Sequence, residues 1–453
     1  MEYKTITAIS TPIGTGGISI IRMCGKQSLD ILSKIFSCKT CEVKNFEPRK
    51  MYLGEVTTEH FKDKGMAVYF MAPFSYTGED IVEIHTHGGA KLAEGVLKEL
   101  LKNGAYMAEA GEFTKRAFLN GKISLDEAEG VIDLITSESD SQIRAGYNLV
   151  AGKLKNKIIN LQEKITEILA KIEVSLDYPD EDLEEETTLD VKKELGQVEE
   201  KLITLHNTSS TGQVIKNGCR LVIVGKTNVG KSSLMNALLN YNRAIVTNIQ
   251  GTTRDILEES FEYKGVKFIL IDTAGIRESK NKIEQIGIER AKNAISYADI
   301  IIYVIDGTKP LDNNDYNLIE VLKGKKAICI INKIDLAQKI EIPKIKKLFN
   351  HVLEVSALEE KGIENIKKLA YDMVIDGEVK ENSVILTNIR HINIIAESLK
   401  LLDNVKQSMK NNVSLDLLAL DIKAVWLKLG EITGTTDVEA IVDMVFSKFC
   451  VGK

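Results

Sequence analysis

The stretch Gly225-Lys226-Thr227-Asn228-Val229-Gly230-Lys231-Ser232 constrains this chain more than any other. A G-x-x-x-x-G-K-[ST] run between a strand and a helix is a cradle for phosphate. The apolar run Leu221 to Val224 before it reads as the strand, and Ser233 to Leu239 after it reads as the first turns of the helix. In such a loop the glycines let backbone N–H groups close around phosphate oxygens. Lys231 supplies a point charge to the terminal phosphates and Ser232 offers a hydroxyl to Mg²⁺. Asn228, Val229, Gly230 and Ser233 complete the expected nucleotide-binding stretch.

Further elements follow in a fixed order. Thr252-Thr253-Arg254-Asp255 supplies a switch-type threonine, Thr253, whose hydroxyl joins Mg²⁺. Asp272-Thr273-Ala274-Gly275 follows a strand ending at Ile271. It puts Asp272 where it holds the metal through water and Gly275 where its N–H faces the γ-phosphate. Asn332-Lys333-Ile334-Asp335 and Ser356-Ala357-Leu358 each follow a further strand. The Asp335 carboxylate accepts two N–H groups from the Watson–Crick edge of guanine, whereas adenine offers the wrong donor pattern. The nucleotide expected here is GTP. After Gly275, where Ras-type enzymes carry a water-orienting Gln, stands Ile276, which cannot hydrogen-bond. Hydrolysis must then use another group, and Glu278, Glu284 and Glu289 are carboxylates within the following segment. Local pattern does not choose among them.

A chain of 453 residues predicts about three domains. Residues 1–118 mix short apolar runs (Thr5–Ser10, Ile18–Met23, Met51–Val56, Met66–Met71, Ile81–His85) with helical patterns at Gln27–Phe36 and Leu92–Lys102, an α+β domain. From 119 to 214 apolar residues recur at three and four, predicting long helices. The acidic run Asp177 to Glu186, with Pro179 inside it, reads as a solvated connection, helix resumes from Leu189, and Thr208–Gly212 reads as a hinge. Residues 215–380 alternate near-continuous apolar strands with amphipathic segments, as in a doubly wound α/β domain. Helical pattern returns over 381–453 as Ile385–Met409, Ser414–Ile432 and Thr435–Phe449. The economical architecture is a helical domain with the α/β domain inserted into it.

A formal net charge of −6 argues against a uniformly basic nucleic-acid coat, although a local patch remains compatible with it. No apolar run approaches the ~20 residues a membrane span needs, and the N-terminus lacks the pattern of a secretory signal. Six cysteines in a chain this long do not make a disulfide scaffold, and a reducing cytoplasm fits them. Cys38-Lys39-Thr40-Cys41 lacks the second pair a zinc site needs and reads as two thiols in a loop. His85-Thr86-His87 likewise lacks further ligands for a metal.

These residues resemble the MnmE (TrmE) family of tRNA uridine-modifying GTPases. The likeness rests on Thr11–Gly17 (T-P-x-G-x-G-G), Thr77–Asp80 (T-G-E-D), His87–Gly89, Gly111–Phe113, Ala117–Lys122 (A-F-L-N-G-K), the GTPase motifs and the terminal Cys450-Val451-Gly452-Lys453. It implies three parts: an α+β tetrahydrofolate-binding-like and dimerising N-terminal domain, an all-α domain, and an inserted Ras-like P-loop GTPase domain.

The resemblance also implies that Asn228 and Thr247-Asn248-Ile249-Gln250-Gly251-Thr252-Thr253 form a K⁺ site, with Asn228, Thr247, Ile249 and Thr252 as ligands. A cation there supplies the charge that an arginine finger supplies elsewhere. Glu284 is implied as the water-positioning carboxylate. Arg22, Glu83, Lys122 and Lys453 are implied as a site for 5-formyl- or methylene-tetrahydrofolate. Cys450 has two readings, a reactive thiol beside that site or part of a frayed tail.

The implied activity is K⁺-stimulated GTP hydrolysis. It drives addition of a (carboxymethyl)aminomethyl group to C5 of the wobble uridine of certain tRNAs, in a homodimer working with a flavin-containing partner, MnmG (GidA). No dinucleotide fingerprint occurs in this chain, consistent with the flavin lying elsewhere. The competing reading is a GTP-switched RNA-binding assembly factor of the ribosome-maturation type. That class calls for an appended basic module, which this chain does not offer.

Overall fold

The computed structural model describes residues 4–178, 181–240, 259–272, 295–375, 384–436 and 439–453. The chain divides into two compact units. One comprises Met1–Ile132, Leu149–Glu194 and Leu401–Lys453, the other Asp133–Asn148 and Leu195–Lys400.

The first unit contains a seven-stranded sheet of β1 (Ile6–Ile9), β2 (Ile18–Cys24), β3 (Phe36–Cys38), β4 (Met51–Thr57), β5 (Lys62–Phe70), β6 (Ile81–His87) and β7 (Tyr106–Met107). Their order is β3-β4-β5-β6-β2-β1-β7, antiparallel except for the β1/β7 pair. The short β3 and β7 carry too few residues for a periodic signal and are additions to the sequence reading.

Alternation along the strands sorts the two faces. Ile21 and Met23 of β2 and Val82 and Ile84 of β6 join a core with Val96 and Leu100 of the helix Ala90–Lys102 and Ile31 and Leu32 of the helix Ser28–Ile35. Arg22, Glu83 and His85 alternate with those core positions and therefore belong to the opposite face.

Helices from both ends of the chain pack in this unit. Lys153–Asp177 presents Leu154, Ile158, Leu161, Ile165, Ile168 and Ile172, all buried, at the expected three-and-four spacing. It lies against Leu415–Thr433, and Gln162 Nε2 donates to the Trp426 carbonyl at 3.0 Å. The α/β sequence thus leaves and returns to one helical body.

The acidic run departs from expectation. Helix resumes at Glu181 rather than Leu189 and runs to His206. Carboxylates are favourable in a first helical turn, where unpaired N–H groups carry positive potential, so the same charges that suggest a solvated linker suit a helix start.

In the second unit β8 (Cys219–Val224), β9 (Glu259–Tyr263), β10 (Val266–Asp272), β11 (Ile300–Asp306), β12 (Ala327–Asn332) and β13 (Val352–Glu354) form a sheet of order β13-β12-β11-β8-β10-β9. All pairs are parallel except the β9/β10 hairpin at one edge. That edge strand, Glu259-Ser260-Phe261-Glu262-Tyr263, is polar on its outer side and lacks the apolar continuity of the buried strands.

Both sheet faces are covered. Leu221, Ile223, Ile302 and Val304 enter one core, and Val222, Val224, Ile301, Tyr303 and Ile305 the other. Within 208–212, read from sequence as a hinge, residues 209–212 are helical, the start of the helix Ser209–Asn217. Thr208 Oγ1 accepts from the Leu386 N–H at 3.0 Å, and Gln213 Nε2 donates to the Thr387 carbonyl at 2.9 Å. Thr208 and Gln213 thus satisfy backbone groups of residues 386–387, which precede the next helix. The helix that follows is Ile389–Lys410, with Asn388 Oδ1 accepting from Arg390 N at its start.

Candidate functional site

The phosphate loop joins the carboxyl end of β8 to the helix Lys231–Asn240. β8 lies between β10 and β11, where the strand order reverses direction, which is the position at which open α/β sheets bind ligands. Gly230 has φ +97°, and a Cβ added there would meet Asn332 Nδ2 at 2.2 Å. Both the backbone angle and the space require glycine. Asn228 takes the left-handed conformation, φ 64°, which asparagine tolerates better than most residues. Its side chain and that of Ser232 are exposed at the loop, while Val229 is buried. Lys231 Nζ donates to the Gly225 carbonyl at 2.9 Å and to the Lys226 carbonyl, folding its ammonium over the loop.

The guanine motifs are bound into the same construction. Asn332, at the end of β12, is 2% exposed and ties three motifs together. Its Nδ2 donates to the Val229 carbonyl at 2.9 Å and its Oδ1 accepts from Ala357 N at 3.0 Å. Lys333 Nζ donates to the Asn228 carbonyl at 2.9 Å and pairs with Asp306 Oδ2 at 2.7 Å. Burial raises the Asp306 carboxyl, but Lys333 and the Thr308 hydroxyl and N–H outweigh it and hold it below its ordinary range. Asp335 Oδ1 accepts from Ser356 Oγ at 2.6 Å, a bond that orients the carboxylate while leaving Oδ2 for a base. Ser356 and Ala357 are buried, whereas Leu358 is 82% exposed.

One set of residues beside the loop is absent from the sequence reading. Lys226 Nζ bridges Asp312 Oδ2 at 2.8 Å and Asp315 Oδ2 at 2.6 Å. The two aspartates form a capping box on the helix Asn313–Leu322, and Asp315 also accepts from the buried Tyr303 hydroxyl at 3.1 Å. Lys226 therefore anchors the loop from its solvent side. The only sequence signal is a D-x-x-D spacing about 85 residues away, which nothing local connects to the loop.

Thr247, Asn248, Ile249, Gln250, Gly251, Thr252, Thr253, Thr273, Ala274, Gly275 and Glu284 lie outside the described residues, as do Glu278 and Glu289. Asp272 ends β10, one strand over from the loop.

In the first unit Arg22 and Glu83 are register partners on β2 and β6. Arg22 Nε and Nη2 donate to Glu83 Oε1 at 2.9 and 2.7 Å. The guanidinium lies 5.9 Å from the Tyr76 ring and 5.7 Å from the Phe113 ring. Burial raises the Glu83 carboxyl, but His85 and Arg22 outweigh it and hold it below the usual range. His85 Nε2 is 3.5 Å from Glu83 Oε2 and has no hydrogen-bond partner among the described residues. Sequence pattern raises His85 only as a metal ligand and Phe113 only as a motif letter, and gives Tyr76 no role at this site.

Lys122 Nζ donates to the Pro73 carbonyl at 3.0 Å, at the loop that carries Tyr76 and Gly78. The T-G-E-D motif holds that loop together. Glu79 pairs with the buried Arg116 at 3.0 Å, and Asp80 accepts from Tyr69 Oη at 2.8 Å and Ala72 N at 2.9 Å.

The C-terminus is docked. Val451 bridges to Ala110, and Ser10 Oγ donates to the Gly452 carbonyl at 3.0 Å. Gly452 has φ +99°, with space for a Cβ closed by the Ile9 carbonyl 2.3 Å away. These contacts hold Lys453 beside the end of β1 and leave Cys450 exposed on an ordered segment, not on a frayed end. His87 Nδ1 meets Asp63 Oδ1 at 2.7 Å. Among the described residues no cluster of three or more His, Cys, Asp or Glu side chains is arranged to hold a metal, and no helix is long and apolar enough to cross a membrane.

A doubly wound sheet, a phosphate loop at its reversal point and an Asn332/Asp335/Ser356 base site tied to that loop define a P-loop GTPase domain. The family model described as the MnmE helical domain matches residues 125–450, and that of the GTP-binding protein TrmE N-terminus matches residues 5–122. The chain belongs to the MnmE family. It is 40% identical over 454 residues to a protein of Clostridioides difficile named tRNA modification GTPase MnmE, covering 99% of each chain. It is also 40% identical over 459 residues to the one so named from Natranaerobius thermophilus, covering 100% of each.

Proposed function

We propose that this chain is a GTP hydrolase acting in tRNA modification, binding GTP with Mg²⁺ in its α/β domain. The observation that carries this reading is the guanine site, in which Asn332 and Asp335 are braced by Ala357 and Ser356 and bonded to the phosphate loop, within a chain matched end to end by its relatives. The modification proposed is the (carboxymethyl)aminomethyl group at C5 of the wobble uridine. Nucleoside mass spectrometry of tRNA from a strain lacking the protein tests it: the C5-modified nucleoside disappears and returns on complementation. Unchanged nucleosides would favour the RNA-binding assembly reading instead. We place the α+β domain at 1–118, the helical domain at 119–214 and 381–453, and the GTPase domain at 215–380, acting in the cytoplasm.

Phosphate would be held by the loop N–H groups from Asn228 to Ser233 together with Lys231, and Mg²⁺ by Ser232 and Thr253, with Asp272 in support. Bound Mg²⁺ supplies charge against the β- and γ-oxygens. The left-handed, exposed Asn228 supports a K⁺ site formed with Thr247, Ile249 and Thr252. GTP turnover in K⁺ is then expected to exceed that in Na⁺ at equal ionic strength by about tenfold or more, since a misplaced charge forfeits transition-state stabilisation. Equal rates remove the cation from the mechanism.

Glu284 is proposed to position the attacking water, because Ile276 cannot. Glu284→Ala should slow hydrolysis by roughly 10²-fold with GTP affinity unchanged, the usual scale for losing a proton-accepting group. Retained turnover reassigns the role to Glu278 or Glu289.

The N-terminal site is proposed to take 5-formyl- or methylene-tetrahydrofolate through Arg22, Glu83, Lys122 and Lys453, near Cys450. Support comes from the aromatic rings flanking Arg22 and from His85 beside Glu83. Arg22 and Glu83 already satisfy one another, so a folate carboxylate must compete for that guanidinium. Isothermal titration of the full chain with 5-formyltetrahydrofolate should show saturable heat, and heat of dilution alone would count against the site. A homodimer and a flavin-containing partner, MnmG, complete the proposed assembly.

A further inference from the structure

The Cys38/Cys41 pair reads in sequence as two thiols in a loop, and none of the chemistry above uses it. The structure gives it a more specific environment. Cys38 ends the edge strand β3, opposite Gly54 of β4, and Cys41 stands just before the short 3₁₀ turn Val43–Asn45. Both cysteines are half-buried against the same core, so neither is a free loop tip. Cys38 Sγ lies 2.9 Å from Thr40 Oγ1 and, as a thiol, donates to the Leu53 carbonyl at 3.5 Å.

We propose that Cys38 and Cys41 are a redox-active dithiol, with Cys38 the attacking and Cys41 the resolving thiol, that reacts with low-molecular-weight disulfides.

Local hydrogen bonding supports the assignment of roles. Burial pushes the Cys38 thiol up, but the Thr40 hydroxyl, the N–H groups of Thr40 and Cys41 and the Cys41 thiol outweigh it and hold Cys38 below its ordinary value. Donors clustered on one sulfur stabilise the thiolate, which is the form that attacks a disulfide. The C-x-x-C spacing leaves only two residues between the thiols, and both cysteines pack against the same core.

Three of the other four cysteines differ. Cys24, Cys219 and Cys329 are buried, and burial pushes each up to about 12. They serve as inert references within the same molecule.

The chemistry balances in two exchanges. The Cys38 thiolate attacks a disulfide R–S–S–R, forming a Cys38–S–R bond and releasing R–S⁻, which takes up a proton. Cys41, losing its proton, then attacks Cys38 Sγ, forming the Cys38–Cys41 disulfide and releasing the second R–S⁻. Two protein thiols are oxidised and one external disulfide is reduced to two thiols.

Lys39 lies between the cysteines, so trypsin separates them into Ile35–Lys39 and Thr40–Lys44 unless a disulfide joins the two. Full-length protein is equilibrated with glutathione disulfide and glutathione at graded ratios, quenched in acid, alkylated with N-ethylmaleimide, digested without reduction and analysed by mass spectrometry. The expected product is the linked pair Ile35–Lys39/Thr40–Lys44, accumulating at ratios that leave Cys24, Cys219 and Cys329 reduced. Cys41→Ser should halt the reaction at a glutathione adduct on Cys38. In reduced protein at neutral pH, Cys38 should alkylate about tenfold faster or more than the three buried cysteines, following its thiolate fraction.

Separate, fully alkylated peptides at every ratio would overturn the proposal. So would a wild-type adduct on Cys38 that never resolves. Zinc retained by the purified protein that protects both thiols until chelated would show a metal site instead. Cys41→Ala repeats the trapping test should the serine variant not fold.

Discussion

Replacing Asp335 by asparagine should weaken GTP binding by roughly 10³-fold or more while improving binding of xanthosine triphosphate. A site built to pair a buried polar edge rejects a mismatched partner by about 10⁴-fold at its strongest, because the mismatch leaves polar groups unpaired. In the proposed site Asp335 offers Oδ2 and the second lone pair of Oδ1 to the two N–H donors of guanine, while Oδ1 also accepts from Ser356 Oγ at 2.6 Å. Asparagine keeps the shape but converts one acceptor into a donor, which then faces a guanine donor. Xanthine carries a carbonyl where guanine carries its amino group, so the new donor finds an acceptor. Isothermal titration of the wild type and the variant with GTP and with xanthosine triphosphate measures both affinities. A variant that keeps wild-type preference for GTP would remove Asp335 from base recognition.

Gly230→Ala should abolish measurable nucleotide binding, a loss of roughly 10²-fold or more, while the rest of the domain remains folded. Two costs coincide at this position. The φ of +97° lies where an L side chain is strained by about 1–2 kcal/mol. The added Cβ would also come within 2.2 Å of Asn332 Nδ2. Asn332 cannot retreat without surrendering its bonds to the Val229 carbonyl and Ala357 N, and a buried amide left unpaired costs about 1–3 kcal/mol. The strain therefore spreads to the phosphate loop and both guanine motifs together. Equilibrium binding of a fluorescent GDP analogue reads the loss, and far-UV circular dichroism reports whether the sheet survives. Near-normal affinity would show that the loop relaxes independently of Asn332.

The contrast between these two positions illustrates what local sequence carries. The motif order alone is enough to propose Asp335 for the base, because its chemistry is a donor–acceptor count that needs no distant partner. Gly230 is equally visible as a motif letter, yet the reason alanine fails there is Asn332, 102 residues further on, and only the fold brings them together. Lys226 is the extreme case. Nothing in the loop sequence separates it from a solvated lysine, and its clamp on Asp312 and Asp315 depends on the helix Asn313–Leu322 being set beside the loop.

The same division holds in the first unit. Period-two alternation legibly separates Ile21 and Met23 from Arg22, and Val82 and Ile84 from Glu83. That β2 pairs with β6 in the register that sets Arg22 against Glu83 is a matter of sheet topology. The acidic run after Asp177 departs from its sequence pattern for a related reason: charge density indicates solvent, but carboxylates suit both a loop and the first turn of a helix. The pair Cys38/Cys41 was visible as spacing and uninformative as chemistry, since a thiol's reactivity comes from the donors around it.

By itself, the sequence determined the nucleotide class, the alternation of strands and helices and the presence of helical segments on both sides of the α/β stretch. Each rests on interactions among residues a few positions apart, whose periodicity and motif spacing are written along the chain. The tertiary structure alone decided which side chains brace the phosphate loop, how the C-terminal Gly452 is held by Ser10, and that Asn332 joins three motifs. Those contacts connect residues up to 442 positions apart, and a linear pattern holds no record of which distant neighbours packing will supply.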